Sequence, residues 1–145
     1  VTSKIIRHSE SLSAADAFQG IYRLAELKRA AEPLLAELDM ICVPTIPTFC
    51  TVLDLKKDPV TPNSMLGTYT NFVNLLNMCG IAVPTAPRSD HRPASVTLLA
   101  AAGKDAAVAT IAREFESDCF RNMGATAHPV PSPAVLPDSP SDQIE

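Results

Sequence analysis

Hydrogen-bonding side chains crowd one short stretch, N-S-M-L-G-T-Y-T-N-F-V-N-L-L-N-M-C-G-I-A-V-P, from Asn63 to Pro84. Thr68, Thr70, Asn71 and Asn74 fall on one side of a helical projection. Leu66, Tyr69, Phe72, Val73 and Leu76 recur on the other side at three- and four-residue intervals. Amides and hydroxyls so arranged can line a polar ligand, or equally form the wet side of an amphipathic helix. Ser64 is a poor nucleophile candidate, because no base is spaced to activate it. His8, His91 and His128 sit in polar or terminal surroundings and fit surface histidines. Cys42, Cys50, Cys79 and Cys119 form no C-x-x-C pair, and no histidine stands at metal-ligand spacing from them. They are expected to be reduced, mostly buried structural thiols. No metal and no cofactor are expected.

A chain of 145 residues with 46% hydrophobic content can form one modest domain or part of a larger one. The net charge of −4 is mild and no basic patch occurs, which argues against nucleic acid and anionic membrane surfaces as partners. No apolar run reaches the roughly 18 residues of a membrane span. The opening V-T-S-K-I-I-R-H lacks the apolar core of a secretory signal, so a cytoplasmic setting is the expectation.

The elements that must position the polar stretch follow from periodicity and punctuation. A helix is predicted from Ser13 to Leu38, with Ser13 as N-cap, Asp16 three residues on, and Pro33 kinking or dividing it. Phe18, Ile21, Tyr22, Leu24, Ala25 and Leu27 form its apolar flank, while Asp16, Glu26 and Glu32 belong to a solvated side. Met40 to Val43 reads as a strand covered on both faces. A long proline-punctuated loop from Pro44 to Pro62 follows, pinned by Leu53, Leu55 and Val60. Gly80 is placed at the helix C′ position, Ile81 to Val83 in a strand, and Asp90-His91-Arg92 in a turn. Ala94 to Ala100 reads as a further strand. A last helix opens at Asp105, with Val108, Ile111, Ala112 and Phe115 on one side. Phe18, Tyr22, Phe72 and Phe115 are core candidates. Residues 125–145 read as a proline-rich flexible tail and residues 1–124 as the folded part. The alternation is α/β, yet two or three strands make a poor independent sheet.

N-S-M-L-G-T-Y-T-N-F-V-N closely resembles a string typical of the amidase-signature hydrolases, and within them of the allophanate hydrolase type. The likeness extends through S-A-A-D-A-F-Q-G-I-Y-R-L-A-E-L (Ser13 to Leu27), D-M-I-C-V-P-T-I-P-T (Asp39 to Thr48) and V-T-L-L-A (Val96 to Ala100), covering roughly residues 4 to 118. It implies a partial layered mixed sheet flanked by helices, the carboxy-terminal portion of an amidase-signature α/β/α fold. It further implies an enzyme that cleaves a urea-derived amide to ammonia and carbon dioxide through a serine nucleophile, a second serine and a lysine base. Those groups lie in a glycine- and serine-rich signature that this chain, with five glycines, does not carry. Lys4, Lys28, Lys56, Lys57 and Lys104 lack serine partners, so no catalytic residue is assigned.

What the resemblance assigns to this half is a wall of the substrate pocket, with Asn63, Met65, Thr68 and Tyr69 as lining candidates. The family's arginine in this string, the natural clamp for a carboxylate, is Met65 here, and a tyrosine of the preceding loop is replaced at Phe49-Cys50. Two glycines usual after the Asp90 turn are also absent from H-R-P-A-S-V. Expected partners are a small-molecule amide in the parent enzyme and the missing amino-terminal half of the amidase domain or a second copy of the chain. The other reading is a non-catalytic remnant or accessory subunit that acts through protein–protein contact.

Overall fold

The structure is a computed structural model describing Ser3, Ile6, Arg7, residues 10–119, Asn122, Met123 and residues 126–129. Its centre is a three-stranded sheet of order β1-β3-β2, formed by β1 (Ile41–Pro44), β2 (Met78–Pro84) and β3 (Ser95–Ala101). Both outer strands pair antiparallel with β3, in registers that include Cys42 opposite Leu98 and Ile81 opposite Leu98. The described sheet is therefore antiparallel throughout, whereas a mixed sheet was expected for the whole fold.

Alternation along β3 sends Val96, Leu98 and Ala100 to one face and Thr97 and Leu99 to the other. The first face meets the helix α5 (Asp105–Asp118), and Val83, Leu98, Ala100, Val108 and Ala112 form the core there. Met40, Cys79, Val96 and Phe115 pack around that cluster. On the second face Leu99 is almost fully buried, and the buried Thr97 hydroxyl donates to Thr45 Oγ1 at 3.0 Å. A run of four buried residues from Thr97 to Ala100 thus reads as a strand covered on both sides.

Gly80 lies inside β2, opposite Leu99, and not at a helix end. The residue that turns the chain is Asn77, which takes the left-handed conformation at φ 55, so the turn needs no glycine. Asparagine tolerates that region better than most side chains. Gly80 serves a different need. A Cβ there would come within 2.6 Å of Leu99 Cδ2 and 3.1 Å of the Leu98 carbonyl oxygen.

The polar stretch also departs from expectation. One helix through Leu66 and Leu76 was predicted, but the chain forms α3 (Thr61–Leu66), a series of tight turns, and α4 (Phe72–Leu75). Thr68, Thr70 and Val73 each donate backbone bonds three residues back, which overtightens the helix and breaks its continuity. The Pro44–Pro62 loop holds an unforeseen helix, α2 (Val52–Lys57), capped by Thr51 and Asp54. Thr51 accepts from Asp54 N–H while its own N–H donates to the Asp54 carboxylate at 2.9 Å. Leu53 and Val60 are exposed and do not pin this segment; only Leu55 is half-buried.

Helix α1 (Ala14–Ala36) starts with the capping box read from Ser13 and Asp16. Pro33 does not divide it. The proline removes one bond near the C-terminal end and leaves the long stretch before it intact. More telling, α1 buries no residue. Phe18, Ile21, Tyr22 and Leu34 are 57%, 59%, 64% and 67% exposed, so Phe18 and Tyr22 are not core residues. Ile111 on α5 is likewise exposed. Cys42 is exposed and the other three thiols are half-buried, all of them free, so the expected burial of the cysteines is not met. Residues 126–129 close a turn in which Met123 N–H donates to His128 O, and Asn122 bridges Pro129. The rest of the predicted tail lies outside the described residues, as do Lys4 and His8.

Replacing Gly80 by alanine is expected to destabilise the chain by roughly 1–3 kcal/mol, because the new methyl must displace Leu99 or the β3 backbone. The midpoint of urea unfolding measures this; an unchanged midpoint would show that Leu99 yields without cost.

Candidate functional site

Asn63, Met65, Thr68 and Tyr69 lie along α3 and the turns that follow it. Asn63 and Thr68 are exposed, Met65 is 50% exposed and Tyr69 is half-buried. The polar groups are occupied locally. Asn63 Nδ2 donates to the Pro59 carbonyl at 2.8 Å, and Thr68 Oγ1 donates to the Met65 carbonyl at 2.6 Å. Asn71 closes the same turn, its N–H donating to Gly67 O at 2.7 Å. The Asn71 carboxamide fills the space a Gly67 side chain would need. Much of the G-T-Y-T-N sequence is thus explained by turn geometry.

Neither of two described cavities is lined by those four residues. One, of about 490 Å³, separates Lys28, Glu32, Leu35 and Ala36 of α1 from Met78 of β2 and Ala101 of β3. The other, of about 410 Å³, opens where β1 and β2 end and β3 begins. Pro44, Ile46, Phe49, Pro84, Arg88 and Pro93 wall it. The ladder is prolonged at this end, since Thr45 N–H donates to Ser95 O and Thr85 N–H to Ala94 O at 2.9 Å. These bonds bring the chain after β1 and the turn before β3 side by side.

That turn, expected from Asp90-His91-Arg92 as a turn alone, carries a charged cluster. Arg88 N–H donates to Arg92 O, so the two arginines face each other across a five-residue loop. Asp90 sits between them, 3.3 Å from Arg88 Nε and 3.6 Å from Arg92 Nε. Both guanidinium carbons lie over the Phe49 ring, at 5.9 and 5.4 Å from its centre, within cation–π range. His91 completes the turn at φ 60. It stands at one of the two positions where glycine was expected, and left-handed backbone there costs a side-chain-bearing residue about 1 kcal/mol. The signal that could have exposed the cluster was the i, i+4 spacing of Arg88 and Arg92 around a turn-forming aspartate.

The Arg92 backbone N–H, donating to Asp90 Oδ1 at 3.1 Å, holds the Asp90 carboxyl below the usual aspartate value, helped by Arg88. Asp16 and Asp54 are lowered by the Ser13 and Thr51 side chains that they cap, and Asp58 by the side chain and N–H of Thr61 and the N–H of Val60. Among the described residues no cluster of histidine, cysteine and carboxylate side chains is arranged to hold a metal ion, and no helix is long and apolar enough to cross a membrane.

Urea amidolyase of Saccharomyces cerevisiae is 34% identical over 133 residues, 92% of this chain. The urea amidolyase of Lachancea kluyveri is 37% identical over 83% of it. Allophanate hydrolase from Kluyveromyces lactis superposes with a TM-score of 0.78 at 37% identity over 83% of the chain. The chain is homologous to urea amidolyase and allophanate hydrolase. The urea amidolyase of K. lactis gives the same TM-score at 36% identity. The chain spans 7% and 6% of the two curated urea amidolyases and 20% of the allophanate hydrolase chain. No family model matches it.

Asp90 should titrate below 3.8, the ordinary aspartate value. Because its folded pKa is depressed, the stability it contributes is present above 3.8 and is lost as pH falls through the lower folded value. An NMR titration of the carboxyl checks this. Arg88→Gln should raise the midpoint; a midpoint at or above 3.8 in the native chain would contradict the turn geometry.

Proposed function

We propose that this chain is the carboxy-terminal portion of the amidase domain of an allophanate-hydrolase-type enzyme, which shapes the substrate pocket and completes the sheet. The parent reaction would release ammonia and carbon dioxide from a urea-derived amide, with the nucleophilic serine, its partner serine and the lysine on residues outside this chain. The match to allophanate hydrolase over 83% of the chain but 20% of that protein is the observation that carries the reading. The exposed apolar side of α1 and the two outer sheet edges supply surfaces on which a neighbouring part of such a domain can rest. Asn63, Met65, Thr68 and Tyr69 would then form the wall on the side facing that neighbour, which is compatible with the exposure of Asn63, Met65 and Thr68 in the isolated chain. A small amide would be the ligand, and the preceding amidase portion, or another copy, the partner.

Met65 favours a second reading. Methionine cannot pair with a carboxylate, and a lost charge-assisted contact costs about 1.5–3 kcal/mol. A non-catalytic remnant or accessory subunit, acting by contact through the same exposed α1 side, would tolerate that change.

The purified 145-residue chain should release no ammonia from allophanate, and should support release when mixed with the amidase portion that carries the serines and lysine. Ammonia from the chain alone would overturn the reading, and silence of the mixture would favour the accessory role. In the joined protein, Met65→Arg should lower KM for carboxylate-bearing amides about tenfold. An unchanged KM would remove Met65 from the pocket.

A further inference from the structure

Residues 46–50 pass the end of the sheet with few directed contacts. Among the described residues they make no hydrogen bond and no ion pair, and Pro47 has no N–H to offer. Both flanks of the segment are fixed. Thr45 N–H donates to Ser95 O and its Oγ1 accepts from Thr97, while Thr51 caps α2. The helix α2 buries no residue, so it adds no further anchor. What holds the middle is the Phe49 ring, 5.9 Å from the Arg88 guanidinium carbon and 5.4 Å from that of Arg92. Asp90 keeps both guanidiniums in place, at 3.3 Å from Arg88 Nε and 3.6 Å from Arg92 Nε. Ile46 and Phe49 also close one side of the cavity of about 410 Å³, whose other walls are the strand ends and the Arg88–Ser95 segment. Arg92 is no part of that wall and acts on the ring alone.

We propose that residues 46–50 are a strap, that the Phe49 ring on Arg88 and Arg92 is the catch that keeps it seated, and that lifting it opens the apolar cavity at the sheet end to solvent. A segment fixed at both ends and held in the middle by one catch has two arrangements, seated and lifted, and the strength of the catch sets their populations. The catch is weak enough to release, because cation–π contacts between exposed groups stabilise only modestly and both arginines are exposed. Arg88, Arg92 and Asp90 act here by position. The proposal rests on contacts within this chain and is independent of the pocket-wall reading.

Cys50, adjacent to Phe49 and half-buried, reports the movement. Its alkylation by neutral iodoacetamide follows the lifted population, and Cys79, whose Sγ donates to Ala101 O within the sheet, is the internal reference. In the 145-residue chain, peptide mass spectrometry should show Cys50 labelling accelerated about fivefold to twentyfold by Phe49→Leu, with Cys79 unchanged. Arg88→Gln and Arg92→Gln should each accelerate it about twofold to fivefold. Loss of a positive charge disfavours thiolates, so faster labelling in the glutamine variants reports exposure and not charge. Phe49→Tyr keeps the aromatic face and should label at the native rate. Cys50 rates unmoved by the leucine and glutamine variants would overturn the catch, as would Phe49→Tyr labelling as fast as Phe49→Leu. A parallel rise at Cys79 would also overturn it, since the ring contacts would then hold the sheet and not a strap.

Discussion

Burial of β3 between two flanking strands is the constraint on which the rest of the structure depends. From Thr97 to Ala100 both faces of this strand are closed, and both of its edges are hydrogen-bonded. Its length is short and its material sparse: six hydrophobic residues are buried among those described. Gly80 lets β2 approach Leu99, α5 seals the opposite face through Val108 and Ala112, and the prolonged ladder at Thr45 and Thr85 carries that order into the turn at Asp90. Beyond this centre the chain is open. α1 buries no side chain, and β1 and β2 each present an outer edge that no described strand covers. Small cores gain too little from burial to offset the ordering of many residues.

Elements whose fate is decided locally could be read from residues alone. The α1 capping box, the strands at Met40–Val43 and Ala94–Ala100, and the start of α5 near Asp105 needed only turn chemistry and periodicity. Positions decided by contact could not. The apolar flank of α1 at Phe18, Ile21 and Tyr22 has the pattern of a buried side, but pattern does not say whether the covering surface is on the same chain. Gly80 has two uses open to any glycine, a left-handed cap and a close approach. The chain chose the second because Asn77 had already supplied the first.

The polar stretch at Asn63–Asn77 shows a similar division. Its residue types are those of a ligand-lining surface, while its internal bonds, Asn63 to Pro59 and Thr68 to Met65, are those of stacked turns. The two roles are compatible, since a turn held by its own side chains presents a fixed surface to whatever docks on it. The arginine pair was hidden for the opposite reason. Its two members are ordinary exposed cations in sequence, and only the ladder bonds that bring Phe49 beneath the Arg88–Arg92 turn give them a shared site.

Hydrogen exchange on the isolated chain tests most directly whether β3 and its immediate cover are the whole of its independent stability. The account predicts strong protection for β3 amides and for the Val108–Ala112 turn of α5, with rapid exchange along α1 and at the outward amides of β1 and β2. Protection of α1 and both sheet edges equal to that of β3 would contradict it, because those surfaces would then be closed within this chain.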